Sequence, residues 1–299
     1  MSDKSAGNIM WRESLCLGND VIDEQHRQLF KKALELLTEA NSTKAERKQT
    51  CTSIILFLKD YAIKHFADEE AFQKSIGYKD FEIHKKIHDE FKKDVGYHEA
   101  KLVGSDFADN DVKEFTGMLI AWILYHVSDA DQRIVKTQAE PEILHSYSEI
   151  VCYSISNMWD ICSILDSELV KEIDTIVEIS DDMFVIEAKL KGDATGHVTI
   201  VYPPDFVKYM VHSATGYEPE TVGELEKSLL LTVSNFTFQT ISELISKEND
   251  ISCYALPSVV SSKYAIESDE RLALDTGKGI VSVGITINID PQCKKSAEN

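Results

Sequence analysis

The sequence has no run of apolar residues approaching the ~18 that a membrane span needs, and Met1 to Ile9 lacks the apolar core of an export signal. A membrane partner is therefore excluded, and a cytoplasmic location is expected. Positive charge is also short: 31 Lys+Arg stand against 51 Asp+Glu, a net of −20 over 299 residues. Such a field repels phosphate backbones, which excludes nucleic acid as a partner. Residues 1–140 carry a net of −5 and residues 141–299 a net of −15, and this asymmetry together with the length points to two separately built halves. The six cysteines (Cys16, Cys51, Cys152, Cys162, Cys253, Cys293) contain no Cys-x-x-Cys pair and no zinc spacing. They read as reduced, scattered thiols rather than a disulfide framework. What is present is an ordinary globular balance, 43% hydrophobic and 27% charged, which excludes a disordered or collagen-like chain.

The first half reads as four amphipathic helices. Val21 to Ala40 repeats apolar residues at helical spacing (Ile22, Leu29, Phe30, Leu34, Leu37), with Asn19 or Asp20 as N-cap. Thr43 to Ser75 continues that period and stops at Gly77. Asp80 to Lys101 gives a third helix and Val112 to Thr137 a fourth, separated by the turn-rich stretch Gly104 to Asp111. Short connections between long helices imply an all-α, up-down four-helix bundle over residues 1–138. Pro141 ends the pattern. Beyond it, residues 141–292 read as an α+β domain with helices on one face of an antiparallel sheet. Its expected elements are a helix near Glu142–Leu165, strands at Met183–Leu190 and His197–Tyr202 around a turn at Lys191–Gly196, and a helix opened by Pro203-Pro204. A long helix over Val222–Ser246 and strands near Ser252–Leu256 and Gly279–Ile289 follow. Residues 293–299 read as a polar tail.

Six of the nine histidines lie in the first half, at telling positions. His65 with Glu69, and His84 with His88, are spaced i, i+4, so each pair projects from one helix face and can grip one metal ion. Helix one adds His26, and the fourth helix adds His126 with Asp131 five residues on. Every helix thus offers a nitrogen or carboxylate donor to the bundle interior, where burying five imidazoles and two carboxylates without a metal would leave polar groups unsatisfied. Imidazole and carboxylate without thiolate suit iron, zinc, copper or manganese. Seven donors, with both carboxylates shared, together with a shared water-derived oxygen suit two six-coordinate ions, with one position left open. His98 fits no pair and reads as a solvated helix-end residue. His145, His197 and His212 have no partner at ligand spacing. Glu70 points about 100° away from Glu69, toward the surface or the back of a ligand.

The runs W-R-E-S-L-C-L-G-N-D-V-I-D-E-Q-H-R-Q-L-F from Trp11, H-F-A-D-E-E from His65, H-K-K-I-H from His84 and H-V-S-D-A-D from His126 resemble the bacterial branch of the hemerythrin family over residues 10–137. The resemblance implies a centre of two irons, held by His26, His65, Glu69, His84, His88, His126 and Asp131 with bridging carboxylates, that binds O2 reversibly at the open position of one iron. The other iron would carry three histidines. Phe66, Trp122, Ile123 and Val127 would supply the apolar wall of the O2 pocket. Carriage or sensing is favoured over oxidase chemistry, because the set holds no obvious further acid or base.

The order of elements after Pro141 resembles the CheC and CheX chemotaxis phosphatases, CheX more closely. That resemblance implies a homodimer formed through this domain and a CheY-like response regulator as partner. Active members carry Glu-x-x-Asn on the long helix. Here the stretch is T-V-S-N, Thr232 to Asn235: the candidate catalytic Asn235 is present, but Thr232 replaces the acidic residue. Three readings stay open: an O2 or redox sensor with a relaying second domain, an O2-gated phosphatase of a phosphorylated response regulator, and an O2 or iron buffer with a dimerising second domain.

Overall fold

The computed structural model describes residues 9, 11–39, 42–135, 146–162, 164–166, 168, 170–173, 180–261 and 268–289. Pro141, His145, Cys293 and the tail at 293–299 lie outside the described residues. The chain divides into two compact units, residues 1–138 with 223–229 and residues 139–222 with 230–299.

The first unit contains α1 (Asp20–Glu39), α2 (Lys44–Ser75), α3 (Phe81–Gly104) and α4 (Asp109–Tyr125). α1 packs on α2 and α4, and α3 packs on the same two, which is the ring of neighbours of an up-down bundle. The helix ends follow from local chemistry. Asn19 Oδ1 accepts the N–H of Val21 at 3.2 Å and of Ile22 at 3.4 Å, so α1 starts one residue later. Thr43 caps α2 in a reciprocal box with Glu46, satisfying two amide donors that the first turn leaves free. Gly77, at φ +68°, lets Tyr78 N–H return to Gln73 O at 2.9 Å and close α2. The core stripe of α1 runs through Ile22, His26, Leu29, Ala33 and Leu36. Leu34, expected inside, is 40% exposed, since it stands one step of about 100° beyond Ala33.

The fourth helix departs from a continuous Val112–Thr137. It begins at Asp109, and α-helical bonding ends at Tyr125. His126–Ala130 then forms one wide turn, in which Asp131 N–H bonds His126 O at 2.9 Å, before the short α5 (Gln132–Val135). Ser105–Ala108 connects α3 to α4, shorter than the expected loop because α3 runs on to Gly104.

The second unit carries α6 (Tyr147–Ile161), whose N-cap Ser146 accepts from Glu149 N–H at 3.1 Å. Among the described residues seven strands follow: β1 (Lys171–Ile173), β2 (Phe184–Gly192), β3 (Ala194–Tyr202), β4 (Cys253–Ala255), β5 (Val259–Ser261), β6 (Glu270–Asp275) and β7 (Ile280–Ile289). They form one antiparallel sheet in the order β1-β6-β7-β3-β2-β4, with β5 also on β2. The turn expected at Lys191–Gly196 is only partly a loop. β2 and β3 pair as far as Leu190 with Gly196; the residues beyond stay extended because 191–192 pair with β4 and 194–196 with β7. β1, β5 and β6 were not expected.

Residues in register share a face, so Ile186, Ile200, Val283 and Leu272 line up on one side, with Val198, Tyr202, Val281 and Leu274 beside them. This is the helix-bearing side. Tyr202 meets Trp159 of α6 and Phe206 of α7 (Pro204–Thr215), and its hydroxyl lies 3.3 Å from Ser234 of α8 (Glu224–Asn249). Glu187, Lys189 and His197 occupy the other side. Among the described residues no helix is long and apolar enough to cross a membrane.

Candidate metal centre

The bundle brings all seven expected donors together, none more than 2% exposed. The helical spacings do this for two pairs: His65 and Glu69 project from α2, and His84 and His88 from α3. His126 and Asp131 are five apart, which on an α-helix would separate them by about 140°. The wide i→i+5 turn brings them round to one face, and His126 Nδ1 lies 3.0 Å from the Asp131 carboxylate.

Two donor groups emerge, Glu69 with His84, His88 and His126, and Glu69 with His26 and His65. Glu69 belongs to both. Its Oε1 is 2.8 Å from His84 Nε2, and its Oε2 is 3.4 Å from the Nε2 of both His65 and His88. Asp131 reaches across in the same way, with Oδ2 3.1 Å from His26 Nε2 and Oδ1 3.4 Å from His84 Nε2.

These contacts do not satisfy the side chains that make them. His84 Nε2 and His88 Nε2 face each other at 3.1 Å. His26 Nε2, His65 Nε2, His126 Nε2, Glu69 Oε2 and Asp131 Oδ1 are sealed from solvent without a hydrogen-bond partner among the described residues. Buried polar atoms are rarely left so. Orphaned nitrogens and carboxylate oxygens converging on shared points are what cations would satisfy, and the donor set fits them.

The electrostatics hold the same state. Burial alone would raise the Glu69 carboxyl, but the close approach of the His65, His84 and His88 imidazoles outweighs it and holds Glu69 well below the usual carboxylate range. Burial and the Glu69 charge push Asp131 up, yet His126 and His26 bring it well below. Burial lowers His65 and pushes His126 down to about 4. For His84, burial is outweighed by the contact with Glu69, and the net shift is upward. The ionised carboxylates and the lowered His65 and His126 imidazoles are ligand-ready forms, whereas His84 would give up its proton to a cation.

Residues behind the donors fix their orientation. Gln25 Oε1 lies 2.8 Å from His65 Nδ1, and Gln25 is itself held by donating to Asp68 Oδ2 at 2.8 Å. With the Nδ1 proton engaged there, His65 presents an Nε2 lone pair to the cluster. Glu70 Oε1 stands 3.4 Å from His88 Nδ1, the outer role its rotation around the helix allowed. Gln73 donates to Glu69 Oε1 at 2.5 Å. Phe66 stacks on His88 at 3.9 Å and Trp122 on His126 at 4.3 Å, and Ile123 and Val127 are fully buried.

Comparison with known proteins bears on this arrangement directly. The family model described as the hemerythrin HHE cation binding domain matches residues 17–137. The bacteriohemerythrin of Clostridium acetobutylicum is 35% identical over 130 residues, covering 42% of this chain and 98% of that protein. The chain belongs to the hemerythrin family. The bacteriohemerythrin of Pseudomonas paraeruginosa is 31% identical over 145 residues, covering 48% of this chain and 87% of its own length. Beyond the hemerythrin unit, the chain is similar to the chemotaxis protein CheX from Vibrio vulnificus at 12% identity, with a TM-score of 0.41 over 48% of this chain and 99% of that one.

Three polar residues of the hemerythrin unit were missed in the sequence. Gln73 follows Glu69 by four, and Tyr61 precedes His65 by four, so helical spacing held the signal for both; Gln25 simply precedes His26. Tyr61 stacks on His65 at 4.3 Å, and burial, then the charges of Asp131 and Glu69, raises its phenol well above the usual value. One expectation is corrected: His98 is 6% exposed and packs against Phe115, because it lies in the buried run Phe91, Val95, His98, Leu102. Among the described residues His197 and His212 join no donor group; His212 Nδ1 stands 3.2 Å from a carboxylate oxygen of Glu218. In the second unit, Asn235 Oδ1 accepts the N–H of Ser258 at 2.8 Å.

Proposed function

We propose that the hemerythrin unit holds two irons and binds O2, and that the chain is an O2 or redox sensor whose second unit relays the state of the first. The observation that carries this reading is Glu69, one buried carboxylate shared by a group of three histidines and a group of two. His84, His88 and His126 would hold one iron, His26 and His65 the other, with Glu69 and Asp131 common to both. Iron in that setting supplies reversible redox chemistry, and the two-histidine side has one protein donor fewer, where O2 would enter.

The remaining work falls to the chain itself. Gln25, Glu70 and Gln73 orient ligands from behind. Phe66, Trp122, Ile123 and Val127 exclude water, which keeps a bound small molecule from further reaction. Relay is favoured over phosphatase action by Asn235, whose side-chain oxygen is engaged with the Ser258 backbone, and by Thr232, which brings no charge to a docked regulator. A CheY-like regulator and a second copy of the chain are the partners this reading assigns to the second unit.

The test begins with the full chain loaded with ferrous salt under argon. It should take up about two irons and develop an absorption band in air that reverses on deoxygenation. A chain that takes up no iron refutes the reading. Self-association or regulator binding, followed by sedimentation, should then differ between the oxygenated and deoxygenated forms; identical behaviour would reduce the protein to an O2 or iron buffer.

A further inference from the structure

Tyr61 stands one turn before His65 on α2. Its ring stacks on the His65 imidazole with centroids 4.3 Å apart and planes at 26°, and it meets Phe66 edge-on at 6.0 Å and Phe57 at 5.7 Å. The residue is 5% exposed, and its hydroxyl is sealed from solvent with no hydrogen-bond partner among the described residues. A buried hydroxyl without a partner is destabilising and uncommon, so its presence points to a partner the protein does not itself provide. The side of the cluster it occupies narrows that partner. His65 belongs with His26 to the group of two histidines, the side with a donor fewer. The Trp122 indole N–H, also orphaned, stacks instead on His126 and so belongs to the three-histidine side.

We propose that the Tyr61 hydroxyl is the hydrogen-bond donor to a small diatomic or anionic ligand captured beside His26 and His65. The proposal rests on the two-iron reading above, and it assigns to Tyr61 the affinity and orientation of that ligand rather than the holding of iron.

Azide is the probe, titrated into the ferric form of the full chain and of Tyr61→Phe. The variant should keep the iron content of the parent and bind azide about tenfold more weakly, the effect of one hydrogen bond to a charged acceptor. The infrared stretch of bound azide should shift on transfer to D2O in the parent and lose part of that shift in the variant, which a purely structural role would not produce. Without iron, Tyr61→Phe should melt no lower than the parent, since no protein contact of the hydroxyl is lost. Unchanged azide affinity at full iron content overturns the proposal, as does a variant that loses iron or melts several degrees lower without it. Failure of the parent chain to load iron overturns the underlying reading as well, and is seen before any azide is added.

Discussion

Glu69→Gln removes one charge and turns one oxygen into an amide while keeping the shape of the side chain. In the native chain Oε1 lies 2.8 Å from His84 Nε2 and accepts from Gln73, while Oε2, without a hydrogen-bond partner among the described residues, lies 3.4 Å from His65 Nε2 and His88 Nε2. A glutamine can accept at only one end. Its NH2 must face either the Gln73 amide and His84 or the other two imidazoles, in a place water cannot reach. Losing a group that merely supports a ligand costs about 10–100-fold in metal affinity. Glu69 is shared by both donor groups, so such a factor applies to each, and the product is ~10²–10⁴, or about 3–5 kcal/mol. After desalting, iron should fall below about one per chain, and the rise in melting temperature on iron loading should shrink with it. Metal analysis paired with thermal melts, with and without iron, checks both. A variant that keeps the parent's iron and its full melt shift would show that Glu69 is not shared, and the reasoning would fail.

The metal-free chain should lose stability between about pH 6.5 and 4. Burial holds His126 near 4 and lowers His65; the unfolded chain therefore protonates first as pH falls, and the loss from His126 alone is roughly 3 kcal/mol. His84, shifted upward, acts only above this window: its contribution is fully present below about 6.5 and fades as pH rises through its folded value. A metal-free melting temperature that stays flat from pH 7 to 4.5 would contradict this balance. Asn235→Ala removes the acceptor of the Ser258 N–H and should destabilise the second unit by about 1 kcal/mol, while phosphate release from a phosphorylated CheY-like regulator stays unchanged. A tenfold fall in release would instead make Asn235 catalytic.

The donors were legible where chemistry repeats with the helix. His65 with Glu69 and His84 with His88 share a face by spacing alone, and burying so many polar groups makes sense only around a cation. The outer partners were less legible, because Gln25 acts across to α2 from a position that no periodicity marks. His98 departs from the solvated position expected of it because Phe91, Val95 and Leu102 on its own stripe place it inside. In the second unit the long strands β2, β3 and β7 declared themselves through alternation. β1 and β5 have three residues each, too few for a period to emerge, and β6 begins and ends on charged residues, Glu270 and Asp275. The partner change at Leu190 and Gly196 depends on β4 and β7, which lie far along the chain.

The wide turn at His126–Ala130 is the feature a continuous helix could not supply, and it allows a test that separates position from composition. In an α-helix the residue facing His126 one turn on is number 130; in this turn it is Asp131, because the Asp131 N–H reaches back five residues to His126 O. Ala130 is buried, at 3% exposed, so a carboxylate there has neither solvent nor an evident partner. Moving the acid by one position, in the double variant Ala130→Asp with Asp131→Ala, keeps composition and net charge the same. If the turn sets the geometry, the double variant should hold no more iron than Asp131→Ala alone. If the segment instead relaxes to regular α-helix, residue 130 would face His126 and iron binding would recover. Metal analysis of the two variants, with helical content followed by circular dichroism, decides between them. Recovery would mean that the wide turn is incidental and that the bundle interior, rather than this local geometry, brings the seventh donor to the cluster.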